Sequence, residues 1–158
     1  MTELSLGDPA PAFNLPLAGG GSASLANLAG KAVVLYFYPR DDTSGCTAEA
    51  IDFSRLKPDF AAAGATVIGV SPDSIAKHGK FKAKHDLSVD LAADEERRTI
   101  EAYGAWVEKS LYGRRYMGVE RATFLIDAQG RIAGIWRKVK VKGHAQSVLD
   151  AVRALDGR

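Results

Sequence analysis

The residue with the most chemical potential in this sequence is its single cysteine, Cys46, in the run Tyr-Pro-Arg-Asp-Asp-Thr-Ser-Gly-Cys-Thr-Ala-Glu. The residues before this run predict a buried strand and those after it an amphipathic helix, so an exposed thiol is expected at a helix start. Unpaired backbone N–H groups and the helix dipole favour the thiolate there, and the thiolate is the reactive form of cysteine. The alternative is a small buried packing residue, as most lone cysteines are.

Backbone effects alone do not account for a stable thiolate. A helix terminus contributes about 0.3 to 1 kcal/mol to a nearby anion. Keeping a thiol ionised near neutral pH takes about 2.7 kcal/mol. We therefore expect a cationic side chain beside Cys46. Arginine suits this task, because it keeps its charge and holds several donors in a rigid fork.

Composition limits what the chain can do with this thiol. A single cysteine allows no internal disulfide, so any thiol chemistry must be completed by an outside partner. The 21 Lys and Arg against 19 Asp and Glu leave a net charge of +2, too small to indicate a nucleic-acid or membrane surface. With 158 residues, 46% of them hydrophobic, the chain is expected to form one domain over residues 1–158.

The sequence shows no pattern for export or membrane insertion. The first ten residues have neither a basic head nor an apolar stretch of signal-peptide length. No later run approaches the roughly 20 apolar residues of a membrane span. A cytoplasmic protein is expected.

Apolar periodicity predicts alternating strands and helices around Cys46. Continuous apolar runs at 32–38 and 65–71 predict two buried strands. Between them, apolar residues recur at three- and four-residue steps from Cys46 to Phe60, which predicts a half-buried helix. A lysine-rich surface helix is expected from Ser74 to His85.

The other segments predict smaller elements. The proline-rich stretch Pro9–Leu17 predicts an extended arm, and the glycines at 19–21 a hairpin turn after it. The last elements are a short helix at Asp94–Tyr103, antiparallel strands at Arg121–Asp127 and Arg131–Lys138, and a helix at Gly143–Leu155. A parallel β-α-β start followed by a hairpin and a helix predicts an α/β fold with a mixed sheet between helices.

The run Pro39-Arg40-Asp41-Asp42-Thr43-Ser44-Gly45-Cys46 has a Pro, a Thr four residues later and a Cys three residues after that. It resembles the active-site signature of peroxiredoxins. The stretches 46–49, 116–127 and 139–144 resemble the bacterioferritin comigratory protein subgroup, also called the Q type. The resemblance covers nearly the whole chain. It implies a thioredoxin-like fold and a thiol-dependent peroxidase for hydrogen peroxide and organic hydroperoxides, without cofactor or metal.

The resemblance also implies a role for each site residue. Cys46 is the attacking thiolate, and Arg121 is the cation beside it. Negative charge builds on the departing peroxide oxygen, so donors aimed at that oxygen lower the barrier. Arg121 and the Thr43 hydroxyl are the candidates, with Thr43 also donating toward sulfur, while Pro39 shields the thiolate. Glu49, one turn after Cys46, either holds Arg121 in place or is an ordinary first-turn helix acid.

Other polar residues near this motif have simpler interpretations. Asp41 and Asp42 are expected to cap the helix or to be solvated, pointing away from the sulfur. The alternating run 137–142 predicts a strand with one solvated face rather than a nucleic-acid patch. A metal site is not expected at the scattered histidines, which are His78, His85 and His144.

The catalytic cycle depends on how the sulfenic acid left on Cys46 is reduced. Relatives in the subgroup carry a resolving cysteine five residues later or in the next helix, but Ile51 occupies the first place and 74–85 has none. An external reductant is therefore expected: thioredoxin, glutaredoxin or a low-molecular-weight thiol. Helical residues five apart have Cα atoms about 8.6 Å apart, beyond the roughly 7 Å disulfide limit, so two-cysteine relatives must unwind this helix and this chain need not. A monomer is expected rather than a dimer.

Two other functions stay open from the sequence. A monothiol disulfide reductase of the glutaredoxin kind would share the fold, but such proteins carry a Pro before the strand near the active site, where this chain has Arg121-Ala122-Thr123. A non-catalytic thioredoxin-like binding module would hold Cys46 as a packing residue, with no need for Pro39, Thr43 and Arg121 around it.

Overall fold

A five-stranded mixed sheet forms the centre of the computed structural model, which describes residues 3–155. In spatial order its strands are β5 (Asp90–Ala93), β4 (Ala65–Ser71), β3 (Ala32–Phe37), β8 (Ala122–Ile126) and β9 (Ile132–Trp136). The first three run parallel to one another, whereas β8 is antiparallel to β3 and β9 is antiparallel to β8. The predicted mixed sheet is confirmed.

In the described part of the chain, four helices accompany this sheet: α1 (Ser44–Ala62), α2 (Ile75–His85), α3 (Arg98–Ala102) and α4 (His144–Leu155). Apolar residues of α1, α2 and α4 pack in one core cluster, and α3 and the N-terminal arm contribute to a second. Alternate residues of β3 belong to different clusters, with Val34 and Tyr36 in the first and Leu35 and Phe37 in the second. The continuous apolar run of β3 is thus explained by burial on both faces.

The middle of α1 is tied to the loop that precedes β5. Pro58 lies inside α1 and has no N–H to donate to the carbonyl of Ser54. That carbonyl instead accepts a hydrogen bond from Ser88 Oγ at 3.1 Å, while the Ser54 hydroxyl accepts from the amides of Ser88 and Val89, both at 3.1 Å. Because Pro58 leaves the Ser54 carbonyl without a partner in the helix, this carbonyl can bond to Ser88 and hold the segment before β5 in place.

The predicted hairpin turns are confirmed. β1 (Asn14–Pro16) pairs antiparallel with β2 (Ser22–Ser24). Gly19, Gly20 and Gly21 between them all have positive φ, at 94°, 111° and 75°, a conformation that favours glycine. Between β8 and β9, the Asp127 carboxylate accepts from the amides of Gln129 and Arg131, both at 3.0 Å.

Some predicted boundaries are wrong. The helix expected at Asp94–Tyr103 is shorter, because Asp94 lies outside it and accepts a hydrogen bond from the Ile100 amide at 2.8 Å. The strand expected to reach Lys138 ends at Trp136, so the run 137–142 is not a strand with one solvated face. Lys138 has a φ of 48°, which is incompatible with a continuing strand.

Three strands were not predicted: β5, β6 (Trp106–Leu111) and β7 (Arg114–Val119). The last two form an antiparallel hairpin separate from the central sheet. Its turn consists of Tyr112 and Gly113, with φ of 51° and 78°. Within residues 3–155, no helix is both long enough and apolar enough to cross a membrane.

Candidate active site

Cys46 lies in the first turn of α1, directly after the loop that leaves β3. Only 1% of its surface is exposed, and it belongs to the core cluster that contains Tyr36, Tyr38 and Ala50. The expectation of an exposed thiol is therefore wrong. The reason is that α1 begins at the carboxyl end of β3, where the two tyrosines pack in the same cluster as the sulfur.

Arg121 places its guanidinium against this sulfur. It stands between β7 and β8, and its Nη2 donates to Cys46 Sγ at 3.4 Å while its Nη1 donates to Glu49 Oε1 at 2.7 Å. The Arg121 side chain is 17% exposed, so both contacts are largely withdrawn from water. Burial lowers the pKa of Arg121, but the negative charges of Glu49 and Cys46 outweigh it and raise that pKa above its ordinary value. The sulfur thus faces a permanent positive charge.

Gly45 leaves room for this contact. A Cβ at this position would lie 3.0 Å from Arg121 Nη2, closer than nearly all real Cβ contacts. Any side chain at residue 45 would therefore displace the guanidinium from its present place.

Glu49 is buried beneath Arg121, one helical turn after Cys46, with 1% of its surface exposed. Burial raises the pKa of Glu49 to about 7, although the charge and hydrogen bond of Arg121 act in the opposite direction. Its Oε2 atom has no hydrogen-bond partner among the described residues. Of the two interpretations given to Glu49 from the sequence, the contact with Arg121 agrees with the one in which it holds the arginine.

Thr43 and Pro39 lie in the loop between β3 and α1. Thr43 is the exposed N-cap residue of α1, and its hydroxyl donates to the Arg40 carbonyl at 2.9 Å. The expectation that this hydroxyl donates toward sulfur is therefore not met, because its proton is already used. Its oxygen lone pairs face solvent and can accept from a ligand. Pro39 is half-buried at the start of the loop.

The positive field of Arg121 extends to two neighbouring basic groups. Burial and then the Arg121 charge lower the pKa of His144 to about 4, so this histidine is neutral at pH 7. Its Nε2 lies 2.8 Å from Thr123 Oγ1. Burial and then the Arg121 charge also lower the pKa of Lys109 on β6, while the Cys46 charge opposes this. His144 therefore adds no positive charge to the site at pH 7, and Arg121 is the cation in contact with the sulfur.

The two loop aspartates have roles other than capping. Asp42 is exposed, as expected, but it accepts from Lys84 Nζ at 2.7 Å and contacts His85 Nε2 at 2.8 Å. Asp41 is buried, and its side chain contacts the Tyr38 hydroxyl at 2.6 Å and His78 Nδ1 at 2.7 Å. Neither residue caps α1. Sequence reasoning missed this burial because His78, which faces the Asp41 carboxylate, comes from the distant helix α2.

Three buried side chains near the loop could in principle hold a metal ion. One ligand atom each of Asp41, Asp73 and His78 lies within 4.8 Å of the others. All three side chains already bond within the protein: Asp73 accepts from the Asp41 amide at 2.8 Å and from Ser71 Oγ at 2.7 Å, and His78 faces Asp41. A cation here would have to break these bonds.

The fold and the site together define a class of protein. A thioredoxin-like sheet that holds a lone buried cysteine against a half-buried guanidinium, at the start of a helix, is the construction of a thiol-dependent peroxidase. Neither of the other functions considered from the sequence calls for an arginine in contact with sulfur.

Comparison with known proteins agrees with this class. The family model of the AhpC/TSA family matches residues 6–135, and the chain belongs to that family. Peroxiredoxin Bcp of Bacillus subtilis is 47% identical over 150 residues, covering 95% of this chain and 96% of the relative. Peroxiredoxin Bcp of Xanthomonas campestris is 44% identical over 156 residues, covering 98% of each.

Solved structures agree as well. A structure of Xanthomonas campestris peroxiredoxin Q superposes with a TM-score of 0.88 at 43% identity, covering 96% of each chain. A Cys-to-Ser mutant of Xylella fastidiosa PrxQ gives a TM-score of 0.92 at 36% identity, covering 99% of each chain. The thioredoxin-like fold, the one-cysteine member of the Bcp/PrxQ kind and the thiol-dependent peroxidase activity predicted from the sequence are confirmed.

Proposed function

We propose that Cys46 is the thiolate that attacks the peroxide and that Arg121 is the principal electrostatic catalyst. The observation that carries this assignment is one guanidinium with two bonds, from Nη2 to Cys46 Sγ at 3.4 Å and from Nη1 to Glu49 Oε1 at 2.7 Å. The bond to Glu49 fixes the orientation of the Arg121 guanidinium, and the bond to Cys46 places its positive charge against the sulfur. Glu49 is thus a positioning residue for Arg121.

The chemical step transfers one oxygen to sulfur. The Cys46 thiolate attacks one peroxide oxygen, an S–O bond forms and the O–O bond breaks, so sulfur is oxidised by two electrons and the peroxide is reduced. The departing oxygen takes a proton and leaves as water or an alcohol, and Cys46 becomes a sulfenic acid. Donors at the developing oxyanion lower this barrier, and Arg121 has further N–H groups beyond the two already used.

Thr43 and Pro39 complete the proposed site. The Thr43 hydroxyl donates to the Arg40 carbonyl, so it is free to accept a hydrogen bond from a peroxide O–H on the exposed side. Pro39 limits access of water at the start of the loop. We assign hydrogen peroxide and organic hydroperoxides as substrates; a related Xanthomonas campestris protein, 42% identical, is described by its alkyl peroxide reduction activity.

An external thiol closes the cycle. Its sulfur displaces water from the sulfenic acid, and a second thiol then releases Cys46 and leaves as a disulfide. We propose thioredoxin, glutaredoxin or a low-molecular-weight thiol as reductant, and the cytoplasm as location, because thiol reductants are maintained there. We also propose that the enzyme works as a monomer within the domain of residues 1–158.

Mass spectrometry with one equivalent of hydrogen peroxide tests this assignment. The reduced protein is expected to gain one oxygen within seconds, and a Cys46→Ser variant none. An Arg121→Ala variant is expected to react about 10²-fold more slowly, as for other losses of one transition-state donor. Arg55→Ala is the matched control, because Arg55 lies on α1 with a 65% exposed side chain.

Two results would contradict the proposal. An Arg121→Ala variant that reacts as fast as Arg55→Ala would remove Arg121 from the mechanism. Oxygen uptake by the Cys46→Ser variant would place the chemistry at another residue.

A further inference from the structure

A buried hydrogen-bond network joins the loop before Cys46 to α2. The Asp41 carboxylate accepts from the Tyr38 hydroxyl through Oδ1 at 2.6 Å, and its Oδ2 lies 2.7 Å from His78 Nδ1. The other ring nitrogen of His78, Nε2, lies 3.0 Å from the Ala92 carbonyl of β5. The side chains of His78 and Asp41 are 0% and 3% exposed. Asp41 is therefore bonded to Tyr38, directly after β3, and is linked through His78 of α2 to β5.

The loop is also held through its backbone at the same residue. The Asp41 amide donates to Asp73 Oδ2 at 2.8 Å, and Lys77 Nζ lies 2.9 Å from the other Asp73 oxygen. Lys77 therefore pairs with the Asp73 carboxylate, and His78 is the basic residue that pairs with the Asp41 carboxylate. The groups that face the imidazole are Asp41, the Tyr38 hydroxyl at 3.4 Å and the Ala92 carbonyl.

The partners of His78 determine its charge. A backbone carbonyl only accepts hydrogen bonds, so Nε2 carries a proton. Nδ1 faces a carboxylate oxygen whose partner oxygen already accepts from Tyr38, an arrangement that stabilises the ionised carboxylate. These partners suit a proton on each ring nitrogen, which would make His78 an imidazolium paired with the Asp41 carboxylate. A buried charge requires such a partner.

We propose that His78 is a positioning residue for the peroxidase reaction, acting as the buried counter-ion that neutralises Asp41 in the loop leading to the Cys46 thiolate. This inference rests on the proposed role of Cys46. A carboxylate close to a thiolate opposes its ionisation, and a carboxylate already paired with an imidazolium does so much less. The pair also fixes the turn that leads into α1.

Geometry places the two groups in one region of the interior. The Tyr38 ring, whose hydroxyl donates to Asp41, stacks on Tyr36 with ring centroids 5.6 Å apart, and both tyrosines belong to the core cluster that contains Cys46. In agreement, the pKa of the Tyr36 hydroxyl is raised well above its ordinary value, first by burial and then by the charges of Glu49, Cys46 and Asp41. An unpaired charge on Asp41 would act on the thiolate through the same low-dielectric interior.

Three variants separate the charge effect from a structural effect. His78→Gln leaves the Asp41 carboxylate buried without a cation, whereas Asp41→Asn/His78→Gln removes both charges. His85→Gln is the matched control, because His85 contacts the neighbouring Asp42 at the surface. The readout is the pH titration of thiolate absorbance near 240 nm, taken as the difference from the same variant carrying Cys46→Ser.

The thiolate titration of His78→Gln is expected to move about one pH unit upward, a tenfold loss of thiolate below its midpoint. The peroxide reaction should slow at each pH in proportion to the thiolate lost there, and recover at higher pH. The double variant and His85→Gln should titrate as the parent does. A parental titration in His78→Gln overturns the proposal, and so does a double variant that titrates as His78→Gln does.

A measurement on the unmutated protein keeps the proposal testable if His78→Gln does not fold. Nitrogen-15 NMR of His78 at pH 7 should show both ring nitrogens protonated, and a free lone pair on either one overturns the proposal. The thiolate titration needs no peroxidase activity. If peroxide failed to oxidise Cys46, the assigned function would fail while the NMR and titration still decided the role of His78.

Discussion

Glu49 occupies the least favourable environment of the site residues, because a carboxyl group with 1% exposure has a single ion-pair partner and one unbonded oxygen. The pKa of about 7 means that the protonated form is retained in the folded protein at pH values where the unfolded chain has released the proton. The stability contributed by Glu49 is therefore complete below pH 4.5, its ordinary value, and is lost as pH rises toward 7.

The variant Glu49→Gln, which is always neutral, should reveal this loss. Relative to the parent, its free energy of unfolding is expected to rise by about 3 kcal/mol between pH 4.5 and pH 8. Urea unfolding at the two pH values measures this difference. A constant difference between Glu49→Gln and the parent would mean that Glu49 is ionised throughout.

The space at Gly45 provides a test of how finely Arg121 must be placed. Gly45→Ala puts a methyl group 3.0 Å from the present position of Arg121 Nη2, so the guanidinium must move. Misplacement by about 1 Å can cost on the order of 10²-fold in rate, and a shift of a few tenths of an ångström is expected to cost about tenfold. Stopped-flow oxidation by hydrogen peroxide measures this rate.

Gly79→Ala on α2 is the control for Gly45→Ala, because a Cβ there meets no atom within 4 Å. It should leave the rate unchanged and stabilise α2 by roughly 0.5 to 1 kcal/mol. A parental rate in Gly45→Ala would show that the contact between Arg121 and sulfur does not limit the reaction.

At the scale of single elements, α1 is under a different constraint from the corresponding helix of two-cysteine relatives. The residue five positions after Cys46 is Ile51, which is 43% exposed. Because it is an isoleucine, this position has no thiol that could react with the sulfenic acid. The middle of α1 is also fixed to the segment before β5 through Ser54 and Ser88. The oxidation cycle thus provides no reason for α1 to unwind.

Amide hydrogen exchange is expected to show the same protection in residues 47–57 of α1 before and after oxidation by one equivalent of peroxide. The reason is that the sulfenic acid adds one oxygen and forms no bond that the helix geometry forbids. The Cys46→Ser variant treated with peroxide provides the baseline. Faster exchange in these residues on oxidation would show that α1 melts even without a resolving cysteine.

The elements predicted correctly are those with a strong local sequence pattern. The hairpin of β6 and β7 was missed because its turn lacks the usual sequence signal. A two-residue turn between strands is usually marked by Asn-Gly or Asp-Gly. Here Tyr112 occupies the first turn position with a φ of 51°, which hides the signal. The Gly113 that follows, between two runs that each contain one aromatic residue and one valine, was the cue that could have revealed it.

At the scale of the whole molecule, the site is assembled from segments far apart in the chain. Arg121 is 75 residues from Cys46, and His78 is 37 residues from Asp41. The residue types around Cys46 were sufficient to predict a cation and to select Arg121 by resemblance. Local sequence could not predict the burial of Cys46 or the pairing of Asp41, because both depend on how the ends of β3, β4 and β5 meet α1 and α2.

The burial of Cys46 also predicts which thiols can reach its sulfenic acid. A second copy of this chain offers a thiol that is equally buried, at 1% exposure, so two Cys46 sulfur atoms cannot meet while both copies stay folded. After peroxide treatment without reductant, non-reducing electrophoresis and sedimentation should both give the monomer mass of 16.9 kDa. Addition of a small thiol should instead yield its mixed disulfide with Cys46 and then the free Cys46 thiol.

Peroxide treatment in urea is the control, because unfolding exposes the sulfur and allows Cys46–Cys46 dimers. Such dimers forming at a similar rate in native buffer would mean that the loop before α1 opens far enough to expose Cys46 completely.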